Sequence, residues 1–195
     1  VFAVAITLLA LNLTIAGPGH GALAGQLTDQ WPAFVAYAIS FFTIGIIWVN
    51  HHALFRGLAS VDRAVVFLNL LLLFFVVAIP FATETMAKYL RGGGADAELA
   101  TAVFDGVFLG MSVGFGALFF YIVRRALLTA ALSPSMARAA TVRFTIGTLA
   151  YAVATGVAFE STTAALAISA AVALYYIAER TPGPKPAAGT SREPA

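Results

Sequence analysis

Six long apolar stretches, nearly free of charge, dominate this chain and leave few folds open to it. They cover residues 1–15, about 34–49, 64–80, about 100–123, about 144–158 and about 163–177. The first is interrupted only by Thr7, Asn12 and Thr14, and the third only by Asn69. The fourth holds a single charge, Asp105. A helix rises about 1.5 Å per residue, so a bilayer core takes roughly 20 residues. The fourth run reaches that length alone. The others reach it with their flanks, except the first, which starts at Val1.

Charge decides between a buried core and a membrane. Only 10% of the 195 residues are charged, against 61% hydrophobic, whereas a soluble domain carries about a quarter charged residues. So few charges cannot keep a surface dissolved. Disorder, coiled coils and nucleic-acid binding also need charge that is missing here. The surplus of 11 Lys and Arg over 9 Asp and Glu is too small to imply a nucleic-acid partner. Absence of cysteine excludes disulfides, thiol catalysis and thiolate metal sites. The expected fold is an all-α integral membrane protein with six transmembrane helices over residues 1–180. Residues 181–195 contain four prolines and no apolar periodicity, and read as a disordered cytoplasmic tail. The first run has no basic segment before it, so it reads as a helix extending beyond its N-terminal edge. The alternative is a signal peptide cleaved near Ala22-Leu23-Ala24.

Basic residues set the expected orientation. Arg56 and Arg63 come after the second run; Arg124, Arg125, Arg138 and Arg143 after the fourth; Arg180, Lys185 and Arg192 lie in the tail. Only Lys88 and Arg91 fall elsewhere. Six helices with both termini in the cytoplasm satisfy this split. Trp31 and Tyr89 then anchor one interface, and Trp48, Tyr121 and Tyr175 the other.

No enzyme motif is present: there is no phosphate-binding glycine loop, nucleophile elbow or His-Glu metal helix. His51 and His52 are adjacent, so on a helix they point about 100° apart and make a poor metal pair. No span carries the arginine ladder of a voltage sensor, and the conventional potassium filter is missing. Gly106, Gly110 and Gly114 recur every fourth residue, a face that lets another helix approach closely. Asp105, beside them, reads as a carboxylate reaching the interface or as a proton or ion relay. In the first run Val4, Leu8, Leu11 and Ile15 fall within about 60° on a helical wheel, with Thr7 at the edge. From the residues alone this is a lipid-facing or packing stripe.

Three stretches resemble one family. Residues 1–9, Val-Phe-Ala-Val-Ala-Ile-Thr-Leu-Leu, resemble the continuation of the Phe-Ser-Asp signature in the first helix of the prokaryotic relatives of the lysosomal potassium channel, the transmembrane protein 175 family. Residues 48–56, from Trp48 through Asn50, His51 and His52 to Arg56, resemble the end of that family's second helix. Asn69 through Phe75 to Pro80 and Phe81 resemble its third. The last three runs match only in number and hydrophobicity.

The resemblance implies a homotetramer in which the first helix of each six-helix subunit lines one central pore. It implies a potassium-preferring cation channel of the bacterial plasma membrane, with no conventional filter and no cofactor, potassium being the permeant ion. Val4, Leu8 and Leu11 would form the pore gate and Thr7 the selectivity position. Trp48, His51, His52 and Asn69 would support the first helix, whose signature would precede Val1. Two other readings fit the residues: a small secondary transporter, proton-coupled through Asp105 and the histidines, and a non-conducting membrane subunit packed through the glycine face.

Overall fold

The computed structural model describes residues 1–11 and 13–178. In chain order its helices are α1 (Phe2–Leu11), α2 (Leu23–Asp29), α3 (Trp31–Arg56), α4 (Arg63–Tyr89), α5 (Gly94–Arg124), α6 (Pro134–Val157) and α7 (Thr162–Ala178), with a 3-10 turn at Leu90–Gly92. All of these except α2 and the turn coincide with the six apolar runs. Among the described residues, Trp31–Arg56, Arg63–Gly92 and Gly94–Arg124 are the helices long and apolar enough to cross a membrane. Phe2–Leu11 and Thr162–Ala178 are apolar but shorter. The chain is thus a helical membrane protein. The tail expected over 181–195 lies outside the described residues.

Several boundaries differ from those read in the sequence. The first helix stops at Leu11, so Ile15 is not on its stripe. The segment after it turns at Gly17, Gly19 and Gly21, all at positive φ, a region side chains disfavour. Gln26 of α2 holds this segment, its Nε2 donating to Gly17 O at 3.0 Å and to Gly21 O at 3.1 Å. The third run does not end at Pro80, because α4 continues through it to Tyr89. A proline removes only one helical hydrogen bond, and in apolar surroundings leaving the helix would expose many more backbone groups. Arg138 and Arg143, read as loop residues, lie on α6, which starts at Pro134 behind the Ser133 cap.

Helix α5 is the centre of the bundle. It buries Phe104, Phe108, Phe115, Leu118 and Ile122 and packs against α4, α6 and α7. Its closest neighbour is α4. Gly114 allows this approach, since a Cβ there would sit 3.2 Å from Leu72 Cα, and a Cβ on Gly110 would clash with the edge of the Phe75 ring. Gly106 faces open space, so the close packing uses two of the three glycines expected. Asp105 does not reach the interface. It is fully buried between α5 and α7, where Ser169 Oγ donates to its Oδ1 at 2.5 Å.

The connections sort to two ends. At one end Arg91, after α4, donates to Asp29, before α3, at 2.8 Å. At the other, Ala59 N–H donates to Leu127 O and Thr129 N–H to Gly57 O, both at 2.8 Å. The α3–α4 and α5–α6 connections therefore share one end, as an up-and-down bundle requires. Tyr121 adds a tie there by donating to Asp62 Oδ2 at 2.7 Å. Asp62 also caps α4 by accepting from Val65 N–H at 2.9 Å.

Candidate functional site

Helix α1 lies on α3 and α4 by one face only. Ala5 and Leu9 are buried there, and the small Ala5 lets the helix sit close. A face about 110° round the helix from it is uncovered: Val4 is 59% exposed, Leu8 42% and Leu11 70%. These three positions, three or four residues apart, make one continuous apolar stripe. Thr7 is exposed beside them, and its hydroxyl donates to Val4 O at 2.9 Å. That bond uses the hydroxyl proton and leaves the oxygen able to accept or to ligate a cation.

The supports expected for α1 divide into two pairs. His51 Nε2 donates to Asn69 Oδ1 at 2.8 Å, joining α3 to α4. The His51 ring stacks on Phe55 at 4.2 Å and meets Phe2 of α1 at 5.2 Å. His51 therefore connects three helices at the start of α1. Trp48 and His52 instead stack on each other at 5.7 Å on an exposed side of α3. No group of three His, Cys, Asp or Glu among the described residues is placed to hold a metal ion. His51 and Asp105 have different partners, Asn69 and Ser169, and do not form one site.

Sequence reading missed a set of hydroxyl bonds that knit the bundle behind α1. Ser40 of α3 pairs with Thr83 of α4 at 2.7 Å; the Thr83 proton already goes to Ile79 O, so Ser40 donates. Ser112 of α5 donates in the same way to Thr148 of α6 at 2.7 Å, since Thr148 is bonded to Phe144 O. Such bonds hold apolar helices together where water is absent. Each residue alone reads as a neutral polar interruption of a span, so only the pairing reveals its use.

The arrangement is a short helix, anchored by one face, with an exposed apolar stripe and one exposed hydroxyl. Residues 1–80 match the family described as endosomal/lysosomal potassium channel TMEM175. A potassium channel of Streptomyces collinus is 42% identical over 186 residues, which are 94% of this chain and 90% of that protein. The chain belongs to the TMEM175 family. The crystal structure of a lysosomal potassium-selective TMEM175 homolog from Chamaesiphon minutus superimposes with a TM-score of 0.79 at 31% identity, covering 90% of each chain. The human endosomal/lysosomal proton channel TMEM175 is 34% identical over 100 residues, 47% of this chain but 20% of that protein. TMEM175 proteins are channels and not enzymes. The match over residues 1–80 takes in α1, α3 and the part of α4 that carries Asn69, the same elements that form and support the stripe.

Proposed function

We propose that this TMEM175-family chain is the subunit of a potassium-preferring cation channel of a bacterial plasma membrane. Six of its helices span the bilayer, both termini are cytoplasmic, and four copies assemble with α1 around a central pore. The observation that carries this reading is the uncovered stripe of Val4, Leu8 and Leu11 on a helix whose other face is buried. A single copy has no use for such a stripe apart from lipid, whereas four copies around an axis place three apolar rings in a pore. Apolar rings impede ions by dewetting. Thr7 sets four hydroxyl oxygens between the first two rings, where they substitute for part of the hydration shell of a cation. Support comes from the bacterial relatives, which are named potassium channels, and from the likeness to the Chamaesiphon minutus channel.

Reconstitution of the purified protein into liposomes tests this. Potassium flux exceeding sodium flux, with single-channel currents in planar bilayers, is the expected result. Saturating, pH-coupled uptake without unitary currents would replace the channel by a transporter, and absence of any flux would replace it by a packing subunit. Because the vertebrate relatives are named proton channels, a proton gradient without potassium belongs in the same assay. Flux of protons alone would overturn the assignment of the ion.

A further inference from the structure

The first half of α6, with Tyr175 of α7, lines an open groove of about 620 Å³, remote in sequence from the α1 stripe. It is lined by Ser135, Arg138, Val142, Arg143 and Ile146 of α6 with Tyr175 of α7. Arg138, Val142 and Ile146 are spaced four apart, so they share one face of α6. Ser135 and Arg138 therefore lie toward the helix start, and Val142, Arg143 and Ile146 follow further along the helix. Val142 and Ile146 are each 50% exposed, and Tyr175 is 46% exposed.

Along the α5–α6 connection and α6 the charge has one sign, while Asp62 of the α3–α4 connection lies at the same end, held by Tyr121. Arg124, Arg125, Arg138 and Arg143 occur between residues 124 and 159 with no Asp or Glu among them. The first turn of α6 carries no acid either, so its N-terminal dipole adds to the positive field. A guanidinium matches a phosphate with paired N–H donors. A soluble phosphate would use the arginines and leave the apolar wall empty. A phospholipid uses both, headgroup at the interface and acyl chain along the wall, and basic pockets between membrane helices suit anionic lipids.

We propose that this groove binds an anionic phospholipid. Arg138 and Arg143 hold the headgroup phosphate, the Ser135 hydroxyl donates to it, and Val142, Ile146 and Tyr175 lie along the first part of an acyl chain. The site requires only that the chain sits in a membrane, and it stands whether or not the pore conducts potassium.

Native mass spectrometry of the full protein, equilibrated in micelles with equal phosphatidylglycerol and phosphatidylcholine, reads the preference directly. The unaltered protein should retain phosphatidylglycerol over phosphatidylcholine by about tenfold or more, as two arginines near a membrane surface provide. Arg138→Gln with Arg143→Gln should bring that ratio close to one, while the corresponding Lys pair keeps part of it. Ile146→Asp should weaken retention of phosphatidylglycerol. Arg91→Gln, at the opposite end of the bundle, should leave the ratio unchanged. If the double Gln variant fails to fold, Arg138→Gln alone is read and should lower the ratio severalfold. A folded variant that keeps the full preference overturns the proposal. So does displacement of the lipid by millimolar glycerol phosphate, which would make this a soluble-phosphate site. A change in oligomer size without change in lipid ratio would make the groove a contact between copies, and would overturn it too.

Discussion

Ser169 and Asp105 lie 64 residues apart and meet inside the bundle, the serine Oγ donating to the carboxyl Oδ1 at 2.5 Å. Both residues are fully buried, and Asp105 Oδ2 has no hydrogen-bond partner among the described residues. One hydroxyl thus provides the hydrogen bond seen for a carboxyl group within the α5–α7 contact. Losing it leaves a buried polar group unsatisfied, which costs far more than a surface bond.

Ser169→Ala should therefore lower stability by about 1–3 kcal/mol. Asp105→Asn keeps an acceptor for Ser169 and should cost less than Asp105→Ala, which loses the bond and opens a gap. Thermal unfolding in detergent with Ser169→Ala, Asp105→Ala and the double variant gives the coupling between the two. Additive effects would show that the bond contributes nothing.

Gly110 has no room for even a methyl group unless the Phe75 ring shifts, because the edge of that ring lies within clash distance of the Cβ position. Gly110→Ala should cost about 1–3 kcal/mol as an overpacked contact, and Gly110→Leu should reduce yield of the assembled protein. Phe75→Ala should rescue much of the Gly110→Ala loss. Gly106→Ala faces open space and should be close to neutral or slightly stabilising. Equal effects at the two glycines would contradict the close approach of α4 and α5.

Thr7→Val preserves the shape of the side chain and removes its oxygen. If four Thr7 oxygens contact the permeating ion, the potassium-to-sodium permeability ratio should fall toward unity while the protein still assembles. If the hydroxyl serves only its bond to Val4 O, the ratio stays and stability changes by a few tenths of a kcal/mol at most. Bi-ionic reversal potentials separate the two. Leu11→Ala, which widens an apolar ring, should raise conductance in the same recordings, and an unchanged current would remove Leu11 from the pore.

Topology is open to labelling because the chain has no cysteine of its own. Ser135→Cys lies at the basic end, beyond the α5–α6 connection, and should resist a membrane-impermeant thiol reagent in intact cells. Gly92→Cys lies at the end where Arg91 meets Asp29, and should react. The opposite pattern would invert the orientation, and labelling of both from outside would break the up-and-down bundle.

Much of this architecture was legible in residue order alone. Apolar runs with so few charges permit only helices in a bilayer, since no other backbone satisfies its own hydrogen bonds within a short segment. The stripe of Val4, Leu8 and Leu11 comes from helical periodicity, and the fold leaves these three residues exposed. The glycine spacing located the helix that others approach. Tertiary structure alone decided which glycines are used, because Gly106 and Gly110 look alike until Phe75 is placed against one of them. It alone carried α4 through Pro80, a residue that locally breaks helices and is overruled where leaving the helix would strand backbone groups. It alone turned Asp105 inward, since a lone carboxylate in a span reads as reaching for water until Ser169 arrives from another helix. Periodicity is set by neighbours within a turn and is written in the sequence. Partnership is set by residues 40 or 60 positions away, as in Ser40 with Thr83 and Asp105 with Ser169, and exists only once the helices have packed.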